Sequence, residues 1–158
     1  MAPRVALTAA HCLEGLKAEE SHLLLGYDRG SWQEHLQPRA MRDLGFDLAA
    51  LCLDQAAAAR PLPLAQDPAV AGEPLTIAGY GRPRVHVLQA TECRVAGPGD
   101  GKTLRLDCPS PHGKSGAPVL RDAAGSPAVV AIAVASSASQ TLAVSVPQGP
   151  AEALCAPP

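Results

Sequence analysis

The chain has 158 residues, 47% hydrophobic and 18% charged, with 13 basic side chains against 15 acidic ones and a net charge of -2. Such a composition describes one globular unit or two small ones sharing a core, and it excludes a disordered chain. Balanced charges with no run of three basic residues exclude the electrostatic footprint of a nucleic-acid binder, and no apolar stretch approaches the roughly 18 residues of a membrane-spanning helix.

In chain order, short apolar runs separated by turn residues predict strands. The first third reads as strands over 4–8, 22–26, 36–41 and 48–53, the last half-buried by its alternation. Residues 55–60 are alanine-rich and predict at most a helical turn, which Pro61 and Pro63 stop. A linker over about 61–71 divides two β units, 1–66 and 67–158. Beyond it, strands are predicted over 75–78, 85–90, 91–96, 103–106, 118–120, 129–134 and 141–146, enough to close a small barrel. With 16 prolines and 14 glycines punctuating the chain, the fold class is all-β.

Five cysteines, Cys12, Cys52, Cys93, Cys108 and Cys155, leave an odd thiol, and no Cys or His spacing suits a metal. Asparagine is absent, which excludes N-glycosylation.

Three segments carry chemistry. Leu7-Thr8-Ala9-Ala10-His11-Cys12 runs from a strand into a turn of small residues that brings a histidine close to the backbone. Asp47-Leu48-Ala49-Ala50-Leu51 places an acid at the head of an apolar strand, where a buried carboxylate needs donors. Gly113-Lys114-Ser115-Gly116-Ala117-Pro118 holds a serine between glycines. Gly113 permits the backbone geometry that turns successive N–H groups toward one point, the outline of an oxyanion hole. The stretch 96–103 resembles a phosphate-binding loop, but Ala96 replaces the first glycine and a strand follows, so it is read as a hairpin turn.

Taken together, T-A-A-H-C, D-L-A-A-L and G-K-S-G-A-P resemble the motifs of the chymotrypsin-like (trypsin-like) serine proteases, in that family's order. The second half is similar to bacterial, glutamyl-endopeptidase-like members. The resemblance implies two antiparallel β-barrels with the active site between them, no cofactor, and a protein or peptide substrate. It implies Ser115 as nucleophile, His11 as general base, Asp47 as its orienting acid, and the N–H groups of Gly113 and Ser115 as the oxyanion hole. Ala133, Val134, Ala135 and Ser136 would form the substrate-pairing wall, with Pro109 near the pocket base and His112 beside the oxyanion loop. Asp43 is a competing acid. His22, His35 and His86 are read as surface or loop residues, Trp32 as packing for the first barrel, and Lys114 as a solvated neighbour of the nucleophile.

Departures from the family set further expectations. The first barrel lacks its opening strands, roughly 25 to 30 residues at the usual strand length. An upstream segment with a signal peptide and a partner for Cys12 is therefore expected, and a secreted or periplasmic location with it. Cys93 and Cys108 flank one hairpin and are expected to bond; Cys52 and Cys155 would pair if the C-terminal segment folds back. Lys114 replaces the aspartate that pairs with a new N-terminus in many animal members, which argues against that activation route. With Ala133 where Glu-cutting relatives have histidine, and no acid near Pro109, a small or apolar side chain is expected before the cleaved bond. Two function classes follow, an active serine endopeptidase and an inactive protease-like binding protein.

Overall fold

The strand Leu48–Leu53 is apolar on both faces and buried along its whole length, which requires a neighbour on each edge and cover on each face. The expected half-buried alternation is therefore replaced by a central strand. In the computed structural model, which describes residues 3–98, 102–110, 112–123 and 125–156, this strand, β5, lies between β1 (Val5–Ala9) and β4 (Pro38–Gly45) in an antiparallel sheet. Strands β2 (Leu23–Leu25) and β3 (Glu34–Leu36) form a separate hairpin. Gln37 separates β3 from β4, where the sequence suggests one strand. The first unit does not close into a barrel among the described residues, because β1 pairs with β5 alone.

Turning from β4 into β5 takes two residues, Phe46 and Asp47, with φ of 55° and 64° between the paired Gly45 and Leu48. Both central residues are left-handed, the pattern of a type I′ turn, whose twist matches that of the flanking strands. The alanine-rich 55–60 segment is not helical. Too few residues precede Pro61 to repay helix nucleation, and the Glu34 carboxylate instead accepts the N–H groups of Ala58 and Ala59 at 2.8 and 2.9 Å.

The second unit is a closed six-stranded barrel. It comprises β6 (Pro74–Gly81), β7 (Arg84–Pro98), β8 (Thr103–Leu106), β9 (Pro118–Ala123), β10 (Ser126–Ser136) and β11 (Thr141–Ser145), in the order β10-β11-β8-β7-β6-β9. Strand β7 is continuous across the predicted break at 90–91. No turn residue stands there, and the alternation that buries Cys93 and Val95 runs on through it. It pairs with β6 for most of its length and with β8 near its end. Residues 99–101 of the predicted hairpin turn lie outside the described residues, but the flanking Pro98 and Leu104 are antiparallel partners. The barrel interior packs Leu75, Ile77, Val95, Leu106 and Val119, and the Cys93–Cys108 disulfide bridges β7 to the segment just after β8, Cα to Cα 5.2 Å.

A second cluster joins the two units. Val5, Ala9, Leu48 and Ala50 of the sheet pack against Leu64, Val129, Ile132, Val134, Val144 and Val146. Burying apolar area on both sides of one seam ties the position of β1 to that of β10. The Cys52–Cys155 disulfide adds a covalent clasp from β5 to the C-terminal 3-10 turn Ala151–Cys155. Trp32 contributes nothing to this core. It is 51% exposed and meets His35 edge-on, because the β2–β3 hairpin stands apart from the sheet it was expected to fill.

One ion pair fixes the entry to the barrel. Arg121 on β9 donates to both carboxylate oxygens of Glu73, and to the carbonyls of Asp67 and Pro68. The guanidinium hydrogen bond holds the Glu73 carboxyl below its ordinary range, against the opposing effect of burial. A carboxyl depressed in the folded state contributes stability that is complete above its unfolded pKa and is lost as pH falls through the folded one. Glu73→Gln should therefore lower stability by about 1.5 to 3 kcal/mol near neutral pH, the scale of a charge-assisted hydrogen bond, and by much less at pH 3. Urea unfolding at the two pH values reads this out; an equal loss at both would exclude the ion pair as its source.

Candidate active site

Small residues bring the histidine to the acid. After β1 the chain enters a 3-10 turn, Ala10–Leu13, close enough to the β4–β5 turn for Ala10 N–H to donate to the Asp47 carbonyl at 2.9 Å. Asp47 then holds one residue twice. Its Oδ1 accepts the His11 backbone N–H at 2.8 Å, and its Oδ2 lies 2.6 Å from His11 Nδ1. A carboxylate only accepts, so Nδ1 carries a proton, and in the neutral imidazole Nε2 is then the nitrogen with the lone pair. The His11 ring makes no other hydrogen bond among the described residues, and its carbonyl accepts the Glu14 N–H at 3.4 Å.

The acid is not buried as its sequence context suggests. The Asp47 side chain is 37% exposed and that of His11 39%, because a two-residue turn projects from the sheet rather than into it. Asp43, the competing acid, lies near the end of β4, where its Oδ1 accepts Gly45 N–H at 2.8 Å. Cys12 has a free thiol; burial first, and then the charge of Asp47, raise its pKa above the ordinary thiol range. That is the opposite of an activated nucleophile.

Ser115 lies on the loop that enters β9. Its position beside β1 follows from Gly116: with φ of 83° this residue sits so close to the first unit that a Cβ would overlap Thr8 Oγ1 and press on Ala9 N. The Ser115 loop and the strand leading to His11 are thus in direct contact. Ser115 is exposed and its hydroxyl makes no hydrogen bond among the described residues. In substrate-free sites such bonds are often long and tighten when substrate binds.

Backbone donors around Ser115 are oriented by their own peptides. A trans peptide points its N–H opposite its C=O. The His112 carbonyl accepts from Arg82 N–H, and the Lys114 carbonyl from Ala117 N–H, each at 3.0 Å. The N–H groups of Gly113 and Ser115 therefore face the other way, and neither has an acceptor among the described residues. Gly113, with φ of 97°, supplies the left-handed backbone this needs.

Lys114 corrects the expectation of a solvated side chain. It is 2% exposed, and its Nζ donates to Thr91 Oγ1 on β7 at 2.8 Å. The loop turns this side chain inward, past Gly79, because Gly113 and Gly116 hold the backbone on the outside. Desolvation lowers the pKa of the ammonium. The lysine thus pins the loop to the barrel wall.

Beside Ser115 opens a cavity of about 210 Å³ whose lining includes Ser110, His112, Ala133, Ala135, Ser136 and Thr141. Of the residues expected to meet substrate, His112, Ala133, Ala135 and Ser136 are here. Val134 is not: the strand's alternation turns it into the core shared by the two units. Pro109 is exposed and does not line this cavity. His22 and His35 are exposed and bonded to each other at 2.7 Å, while His86 bonds the Tyr27 hydroxyl. Ser110 and Thr141 escaped the sequence reading because no motif joins them; the loop after β8 and the strand β11 meet only in the closed barrel.

A comparison with protein families matches residues 2–132 to the trypsin-like peptidase domain, and no curated protein matches the chain. The matched span covers most of the chain and contains His11, Asp47 and Ser115, so the chain belongs to the family of the trypsin-like peptidase domain.

Proposed function

We propose that the protein is a serine endopeptidase acting through His11, Asp47 and Ser115, on protein or peptide substrates. The observation that carries this reading is the double hold of Asp47 on His11, through ring and backbone at once. It sets the imidazole tautomer so that Nε2 is the proton acceptor.

In the reaction, Ser115 Oγ attacks the scissile carbonyl carbon while His11 Nε2 takes its proton. The carbonyl oxygen gains the charge and meets the N–H groups of Gly113 and Ser115; loss of one such donor typically costs about 2.7 to 4 kcal/mol in the barrier. The imidazolium, steadied by Asp47, returns the proton to the leaving amine, and the C–N bond breaks. An acyl-enzyme on Ser115 remains, and water removes it by the same steps. The two units, 1–66 and 67–158, each supply part of this machinery. Two disulfides suit an oxidising compartment, which supports a secreted or periplasmic location.

A fluorophosphonate probe tests the reading directly. Label should appear on Ser115 in the wild-type chain and be absent from Ser115→Ala and strongly reduced in His11→Ala. A folded wild-type chain that takes no label would instead be a protease-like binding protein.

A further inference from the structure

The β2–β3 hairpin stands apart from its own sheet, yet its tip is bonded to the barrel. Tyr27, two residues past β2, is the anchor. Its hydroxyl pairs with His86 Nδ1 at 2.6 Å, its carbonyl accepts the Tyr80 hydroxyl, and its ring meets that of Tyr80 edge-on at 5.6 Å. Arg29 N–H donates to the His86 carbonyl at 2.9 Å. These bonds reach both strands of the β6–β7 hairpin, since Tyr80 lies on one and His86 on the other.

The turn of that hairpin holds the oxyanion loop. Arg82, between the paired Gly81 and Arg84, gives its N–H to the His112 carbonyl at 3.0 Å. Gly113 packs on the same turn so closely that a Cβ there would lie 3.4 Å from Gly81 Cα and 3.7 Å from the Tyr80 carbonyl oxygen. The His112–Gly113 peptide is planar, so fixing its carbonyl fixes the direction of the Gly113 N–H. Within the barrel the turn is braced by Gln89, whose Nε2 donates to the carbonyls of Gly81 and Arg84 at 2.7 and 3.2 Å. Tyr27 is the brace from the other unit. A backbone donor takes its aim from whatever holds its peptide, and a displacement of about 1 Å can cost about a hundredfold in rate.

We propose that Tyr27 is a positioning residue for the oxyanion hole: through Tyr80 and His86 it steadies the β6–β7 turn, and through Arg82 N–H that turn aims the Gly113 N–H at the oxygen of the scissile carbonyl. The proposal rests on the peptidase reading above and gives the β2–β3 hairpin a part in the reaction.

The donor acts on charge that develops only in the transition state, so a loss of aim shows in kcat rather than KM. Tyr27→Ala, which removes both hydroxyl and ring, should lower kcat on a peptide ester by about tenfold and leave KM within about twofold. Tyr27→Phe keeps the ring against Tyr80 and should fall between Tyr27→Ala and the wild type; His86→Leu, which removes the same hydroxyl bond from its other end, should match it. A thionoester separates aim from general loosening. It replaces the scissile C=O by C=S, whose longer bond and weaker acceptance of hydrogen bonds suit a hole built for oxygen poorly. The wild-type preference for ester over thionoester should shrink about fivefold in Tyr27→Ala, whereas partial unfolding or a displaced His11 slows both substrates alike and leaves the ratio unchanged. Should Tyr27→Ala fail to fold, Tyr27→Phe and His86→Leu read the same ratio at smaller amplitude. An unchanged ratio in the folded variants overturns the positioning role alone. A wild-type chain whose Ser115 takes no fluorophosphonate label overturns the peptidase reading and this role with it.

Discussion

Ser115→Ala and His11→Ala should each lower kcat by about a million-fold, and the double variant should be no slower than either alone. The reason is that the two groups perform one act. Without Oγ there is nothing for Nε2 to deprotonate, and without the imidazole the hydroxyl is a weak nucleophile at neutral pH. Asp47→Asn should cost less, about ten-thousandfold. Its amide would keep the ring in place while donating to Nδ1, which moves the ring proton to Nε2 and removes the base. Rates measured on purified protein with a peptide substrate check all three. Near-normal turnover by Ser115→Ala would remove the central claim, and a double variant a thousandfold slower than the singles would show that the residues act separately.

Cys52→Ala with Cys155→Ala should produce a large loss of stability. The bond joins residues 103 apart, and in the chain-entropy model a loop of that length is worth about 4.7 kcal/mol, against about 3 for a bridge like Cys93–Cys108 spanning 15. The effect should be local before it is global. Cys52 lies on β5, the central strand of a sheet that does not close, whereas the barrel of β6 to β11 has no open edge of its own. Hydrogen exchange in the double variant should therefore show β1, β4 and β5 losing protection first while β6 and β9 retain theirs. Activity should fall with the first group, because β1 and the β4–β5 turn position His11 and Asp47. Uniform loss of protection across both units would mean that the shared core around Leu48, Val129 and Ile132 couples them into one cooperative block.

The meeting of His11 with Asp47, and the exposed donors beside Ser115, were legible in the sequence because each of these residues sits in a short segment whose own backbone makes the geometry. Alanines let the histidine turn toward the acid, and glycines on either side of Lys114 and Ser115 expose the donors. Barrel closure was legible in part: the period of turn residues marked most strands but broke β7, where alternation continued without a turn. The pocket was legible in part, through His112, Ala133, Ala135 and Ser136. Ser110 and Thr141 are brought to them by strand order, which no local pattern encodes. Lys114 was misread for a related reason: charge predicts exposure on average, yet here loop direction puts the side chain against Thr91. Trp32 erred the other way, since a large apolar ring predicts burial only if its element joins the core.

The Cys52–Cys155 clasp also governs what a broken chain looks like. His11 and Asp47 precede the enclosed segment, and Ser115 lies within it. A single backbone cut anywhere between the two cysteines leaves both fragments in one molecule until the bond is reduced. For a peptidase exposed to copies of itself, mass on a non-reducing gel would therefore not report self-digestion, and a nicked chain would still hold its histidine, acid and serine on one covalent body.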